Sequence, residues 1–234
     1  MAAAPSTARS WASAKAQLGK VVASGGTPMS FRSAARAYVR ARGGSSGAAK
    51  TSRAGRAATA RLGGFLAGVA ADGIKPTLER FGLVATVGND AQQVLAAISN
   101  AIAPTGASRE EAVARRATND VLKELYDKYA IASEGLARLE AMPADDIRKA
   151  VEASISTYIY YCWLEELGSR IEDKSMSGAE AERLERDMKV YVRDVVHLDL
   201  KDVDVLTLDW AGDAGGKVIE KLYAEAYQVL GGSV

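Results

Sequence analysis

The sequence predicts an all-α fold, an irregular bundle of about seven to nine helices. Three observations carry this. Apolar residues recur at spacings of three and four through most of the chain, the repeat of a helix face. Only five residues are proline and none follows Pro143, so helices can run unbroken through the C-terminal half. The one segment that alternates apolar and acidic residues, 198–210, has no partner segment of its kind. A lone strand cannot pair its backbone, so this segment is read as loop with a helical turn.

The elements follow in order. Residues 1–10 are small and polar and read as a flexible tail; 11–234 read as a single helical domain. Trp11, Ala14, Leu18, Val21 and Val22 mark the first helix, ended by Ser24-Gly25-Gly26-Thr27-Pro28. The second is expected from about Ser30 to Ala41, with Phe31, Ala34, Ala35 and Tyr38 facing one way and Arg32, Arg36 and Arg40 another. Gly43-Gly44-Ser45-Ser46-Gly47 reads as a flexible break before a third helix over about 48–71. That helix ends almost wholly apolar, and Gly64 and Gly68 lie on one face of it. Glycine disfavours a helix interior by about 1 kcal/mol, so close approach of another helix there is the expected compensation.

Pro76 opens a short helix over 75–81. Asn89 or Asp90 caps the next, which buries Val94, Leu95, Ile98 and Ile102. Ser108 and Glu111 form the capping-box pattern, opening a helix to about Lys128 with a stripe from Val113 to Tyr129. A helical turn is expected over 133–139. Pro143 opens the most apolar helix, about 143–168, which carries Ile147, Val151, Ile155, Tyr158, Ile159, Cys162, Trp163 and Leu167. Ser177 caps another, and the last runs over about 213–231. No internal repeat is present.

Charge is divided sharply along the chain. Residues 1–71 hold eleven Lys or Arg and no acid, leaving 19 basic against 29 acidic residues beyond. A basic part, 11–71, is thus joined to an acidic body, 72–234. Two readings stay open. The basic part folds against the body, or it presents a face to a nucleic acid or an acidic partner. The candidate contact set is Arg32, Arg36, Arg40, Arg42, Lys50, Arg53, Arg56 and Arg61. Arginine outnumbers lysine in it, which suits carboxylate or phosphate contact.

Other motifs read as structural. Gly44 to Thr51 approaches the phosphate-binding pattern G-x-x-x-x-G-K-[ST], but Ala49 stands where the second glycine belongs and no buried strand precedes it. His197, the one histidine, falls near a helix end without a neighbouring nucleophile. Cys162, the one cysteine, lies on an apolar face and reads as a buried thiol. Asp145-Asp146, Glu165-Glu166, Glu172-Asp173 and the aspartates between Asp199 and Asp213 lack metal-site spacing. The chain is therefore read as non-enzymatic, without cofactor or metal. A single cysteine excludes an internal disulfide and fits a reducing compartment. No apolar run spans a bilayer and no signal-peptide core opens the chain. A cytoplasmic protein without a membrane partner is expected.

Leu18-Gly19-Lys20, Ser24-Gly25-Gly26, Arg36-Ala37-Tyr38-Val39-Arg40, Gly43-Gly44, Gly47-Ala48-Ala49, Ser52-Arg53-Ala54-Gly55-Arg56 and Arg61-Leu62-Gly63-Gly64-Phe65-Leu66 together resemble the QatB family of Qat anti-phage systems. The close resemblance covers about 17–73; the rest is similar as a helical body. The resemblance implies a component without assigned catalytic activity that works beside an ATPase, a QueC-like enzyme and a TatD-like nuclease. QueC enzymes act on 7-deazaguanine with ATP. The implied partner is thus the QueC-like enzyme first, with the body docked on it and the N-terminus a candidate for modification in its active site. Family members tend to begin Met-Gly before a longer Gly/Ser/Pro-rich tail, whereas this sequence reads Met-Ala-Ala-Ala-Pro-Ser, so no modified residue is assigned.

Overall fold

The computed structural model describes residues 7–84, 90–174 and 177–232, and every regular element among them is helical. In order these are α1 (Thr7–Ala23), α2 (Pro28–Ala41), α3 (Gly44–Thr51), α4 (Arg53–Asp72), α5 (Ile74–Arg80), α6 (Ala91–Ile102), α7 (Arg109–Lys128), α8 (Ile131–Glu134), a 3-10 segment (Leu136–Ala141), α9 (Ala144–Leu167), α10 (Ser169–Lys174), α11 (Gly178–Val195) and α12 (Asp213–Leu230). The all-α class is as expected; the count among the described residues exceeds seven to nine because of short pieces. The helix expected over 48–71 is two, parted at Ser52. The break expected at 43–47 is instead Arg42 and Gly43, the latter at φ 87°, and α3 starts directly after them. Residues 7–10, assigned to a tail by composition, are the first turn of α1, while 1–6 lie outside the described residues. Asn89 also lies outside them; Asp90 is the cap of α6, accepting from the Gln93 N–H at 2.9 Å.

Capping explains several of the other boundaries. Ser108 and Glu111 bond reciprocally, the Glu111 N–H to Ser108 Oγ at 3.2 Å and the Ser108 N–H to Glu111 Oε2 at 3.0 Å. Ser177 caps α11 by accepting from the Glu180 N–H. At α2 the cap is Thr27, with Pro28 in the first turn where a missing N–H costs nothing, so the helix begins two residues before Ser30.

The chain divides into two compact units. One gathers the described parts of Met1–Ser52, Ile159–Leu198 and Lys221–Val234; the other comprises Arg53–Tyr158 and Asp199–Glu220. The partition falls inside the basic part, after Ser52, and not at the charge boundary near Asp72.

In the first unit α1 packs on α2. Ala14, Leu18 and Val21 are fully buried against that helix's Ala34, Ala35 and Tyr38 side. Trp163 of α9 is fully buried and stacks on Tyr38, ring centroids 5.5 Å apart, while Trp11 meets the same ring edge-on. Leu184, Met188 and Val192 of α11 and Leu222, Tyr223, Ala226, Tyr227 and Leu230 of α12 complete this core.

The second unit is built around α4, which contacts α5, α6, α7 and the 3-10 segment. Leu62, Phe65, Leu66 and Val69 are buried to within 1 %, so the apolar half of α4 is core as expected. What covers its glycines differs in part from the helix expected. At Gly68 the neighbours are Thr77 and Arg80 of α5. At Gly64 the neighbour is Trp210, from the loop before α12, whose Cβ would lie 3.2 Å from an added β-carbon. At the adjoining Gly63, not singled out from the sequence, a β-carbon would lie 2.5 Å from Trp210 Cζ3 of the same side chain. Arg148 holds that loop from α9, its Nε donating to the Leu200 carbonyl at 3.0 Å and its Nη2 to that of Val203 at 3.2 Å. No strand forms over 198–210.

The start of α4 is tied to α7 and α9 through one carboxylate. Glu110 Oε1 accepts from the Ala54 N–H at 2.8 Å and from the Tyr158 hydroxyl at 3.0 Å. An acid at a helix N-terminus satisfies an open N–H and complements the helix dipole. Glu110→Ala is expected to lower the unfolding free energy by about 1–2 kcal/mol, as loss of a cap does, read as a lowered urea midpoint at unchanged slope.

Candidate functional site

The basic set spreads over both units: Arg32, Arg36, Arg40, Arg42 and Lys50 in the first, Arg53, Arg56 and Arg61 in the second. Its members fall into three environments.

Arg32, Arg36 and Arg40 form an exposed row along α2, because a spacing of four keeps them on the face opposite Phe31, Ala35 and Tyr38. Arg40 Nε donates to the Arg36 carbonyl at 3.3 Å. Among the described residues none of the three has a carboxylate within ion-pair distance. Lys50 of α3 and Arg53 of α4 are also exposed.

Arg42 does not belong with them. Its side chain is 8 % exposed. Nη1 donates to the Tyr38 hydroxyl at 3.2 Å and to Glu166 Oε1 at 3.1 Å, and Nη2 donates to Thr51 Oγ1 at 2.8 Å. Its guanidinium carbon sits 6.0 Å from the Tyr38 ring centroid and 5.8 Å from that of Tyr227. Burial raises both tyrosine hydroxyls above their ordinary range, which keeps them neutral donors and acceptors. Arg42 is an internal clasp joining α2, α3, α9 and α12, and is not open to a partner.

Arg56 and Arg61 are intermediate cases. Arg56 is 22 % exposed and pairs with Glu220 at 2.8 Å. Arg61 is exposed, and its Nη1 donates to the Ile102 carbonyl at 3.3 Å. Each reading of the basic part therefore holds for some of its members. Arg42 and Arg56 meet acids of the body within their own units, and the α2 row faces outward.

A feature the sequence reasoning missed adjoins that row. A groove of about 760 Å³ lies between the start of α2, α11 and the end of α12, lined by Pro28, Met29, Arg32, Tyr191, Val229 and Leu230 among others. Met29 is 79 % exposed. The available signal was its place off the Phe31-Ala34-Ala35-Tyr38 stripe.

The remaining candidates are structural in place. Gly44–Thr51 is helix and not a phosphate loop. Cys162 is buried, as expected. His197 is exposed just past α11, its backbone N–H on the Val195 carbonyl at 3.1 Å. The aspartates of the acidic stretch shape turns: Asp199 accepts from the Lys201 N–H, Asp204 from the Leu206 N–H and the Thr207 hydroxyl, and Asp209 from the Gly212 N–H. Asp146 bonds Lys128 at 2.7 Å and the Tyr129 hydroxyl at 2.5 Å, contacts that hold its carboxyl below the usual range. Among the described residues no group of three or more His, Cys, Asp or Glu is placed to hold a metal, and no helix is long and apolar enough to cross a membrane.

Residues 43–230 match the family model described as Qat anti-phage system associated protein QatB. The chain belongs to the QatB family. The QatB match reaches far beyond the 17–73 stretch on which the sequence resemblance rests, and takes in the helical body of both units. It begins at Gly43, so α1 and α2, with the exposed arginine row, precede the matched span. No curated protein and no solved structure matches the chain. Membership in QatB makes the chain a component of an anti-phage defence system.

Proposed function

We propose that this QatB-family chain is a non-enzymatic helical subunit that binds the QueC-like enzyme of a Qat system, with the Qat ATPase and TatD-like nuclease as further partners, in the cytoplasm. Family membership supports a role beside the other Qat components. The observation that carries the binding role is the row Arg32, Arg36 and Arg40, exposed and without a carboxylate partner among the described residues. Three arginines on one rigid helix steer an acidic surface and fix its register.

The test is co-expression with the QueC-like enzyme and affinity recovery. Reversing the row (Arg32→Glu with Arg36→Glu and Arg40→Glu) is expected to reduce the recovered enzyme by about tenfold or more. Far-UV dichroism should stay unchanged, since the three side chains lie outside the core. Undiminished recovery would remove the row from the interface. Intact mass of the co-expressed chain reads N-terminal modification directly. Turnover of a small molecule by the isolated chain would overturn the non-enzymatic assignment.

Nucleic-acid binding by the same row is the second reading, favoured by the same outward guanidinium groups. It predicts oligonucleotide binding at low salt that falls steeply as salt rises. Absence of binding at low salt removes it.

A further inference from the structure

Beside the arginine row lies an apolar groove that neither core uses, and the two features together specify an occupant. We propose that this surface binds an acidic amphipathic helix of a partner protein, seating one apolar side chain against Met29, Tyr191 and Val229 and setting carboxylates along Arg32, Arg36 and Arg40. The inference rests on the partner-binding role proposed for the row and adds the chemistry of what binds.

The apolar part of the argument is Met29. It is the most exposed large hydrophobic residue described, at 79 %, and it stands on the first turn of α2 at the mouth of a groove of about 760 Å³. The floor is fixed. Tyr191 stacks on Phe31 with ring centroids 5.5 Å apart, and Phe31 is itself 2 % exposed. Leu230, at 1 % exposure, belongs to the core beneath. The groove is therefore preformed, which favours binding because little has to be ordered when the occupant arrives.

The charged part is the row. Arg32 lines the groove itself. Arg36 lies against the chain end of α12: a β-carbon on Gly232 would sit 2.5 Å from its Nε. Both cations act on Tyr191, pulling its hydroxyl down against the larger upward push of burial. Arg40 continues the line one turn on. Successive members are about 6 Å apart along the axis, the repeat of carboxylates spaced by four on a second helix. Charge complementarity thus selects an acidic occupant, and its register is set by α2.

Two alternatives fit less well. A single strand of nucleic acid binds on successive aromatic platforms, and the groove offers one ring, Tyr191, already stacked on Phe31. A peptide bound by strand addition needs a sheet edge for its backbone, and every regular element described is helical. A helix satisfies its own backbone and needs only a groove and a row of charges.

The test uses the full chain and a fluorescently labelled helical peptide with a leucine followed on the same face by glutamates at four-residue spacing. Anisotropy should report saturable binding. Met29→Ser and Arg36→Glu are each expected to weaken it by about tenfold, and a peptide with lysines for the glutamates should not bind. Circular dichroism should match the parent for both variants. Absence of peptide binding, or binding indifferent to Met29→Ser, overturns the proposal. So does an oligonucleotide that binds more tightly than the peptide and responds to Arg36→Glu but not to Met29→Ser. The two readings fail separately. If enzyme recovery is lost on row reversal but untouched by Met29→Ser, the partner-binding role stands and the groove is excluded. If recovery ignores row reversal while the peptide binds as described, the groove stands and the assigned partner is wrong.

Discussion

Trp210→Ala is expected to lower the unfolding free energy of the second unit by about 3–5 kcal/mol, the range for removing a buried aromatic side chain. Trp210 is 6 % exposed, its Nε1 donates to the Val205 carbonyl at 3.0 Å, and its ring covers Gly63 of α4. The loss combines the ring's buried area with a cavity that the backbone of α4 cannot fill. Gly63→Ala alone should also destabilise, because its new β-carbon would fall within 2.7 Å of three atoms of the ring. With Trp210 already truncated that collision is absent, and alanine regains about 1 kcal/mol of helix propensity over glycine. Gly63→Ala should then change sign, from destabilising in the parent to stabilising in the Trp210→Ala background. Urea unfolding of the four proteins of this cycle measures the coupling. Additive effects would mean that the ring does not rest on Gly63.

Arg42→Met carries the second large effect, expected at about 2–3 kcal/mol. That is at or below the low end for breaking a buried ion pair, because the partner Glu166 remains 35 % exposed. The variant strips hydrogen bonds from Tyr38, Thr51 and Glu166 together. Glu166→Gln should cost far less, since the amide oxygen still accepts from Arg42. It also changes the pH response. Burial holds the Glu166 carboxyl above its ordinary value, with Arg42 and the Tyr38 hydroxyl pulling the other way. A carboxyl raised in the folded state binds its proton more tightly there. Its stabilising contribution is thus full below about pH 4.5, the ordinary glutamate value, and fades as pH rises through the raised one. Glu166→Gln should flatten the stability profile in that window. Equal losses for Arg42→Met and Glu166→Gln would contradict the clasp.

Helices with clear punctuation were legible from the residues alone. Pro143 and Gly168 bracket α9 to within a residue or two, and the Ser108–Glu111 pair places the start of α7. Those signals are local, so they stand side by side in the chain. The split at Ser52 was not legible, because the bond that holds it, Ser52 Oγ to Tyr227 Oη at 3.0 Å, joins residues 175 apart. Trp210 looked like part of an acidic loop for the same reason: its seat is a glycine on a distant helix. Within the basic set, spacing correctly grouped Arg32, Arg36 and Arg40. Arg42 carries the same charge two residues on but lies past the last turn, where the chain bends inward. Sign and count cannot separate an outward cation from an internal one. The groove was invisible because its walls come from three stretches of chain.

The long span between Ser52 and Tyr227 has a bearing on how the protein is made. A ribosome releases α1, α2 and α3 early, yet Glu166, Trp163 and Tyr227, which close over them, emerge more than a hundred residues later. Until α9 and then α12 have emerged, Tyr38 lacks its stacking partner Trp163 and Arg42 lacks Glu166, and the apolar surface left open on α1 and α2 is of the kind that chaperones cover. Final assembly of this unit therefore waits for α12, and a premature stop in α12 should yield an aggregating product and not a shortened functional one.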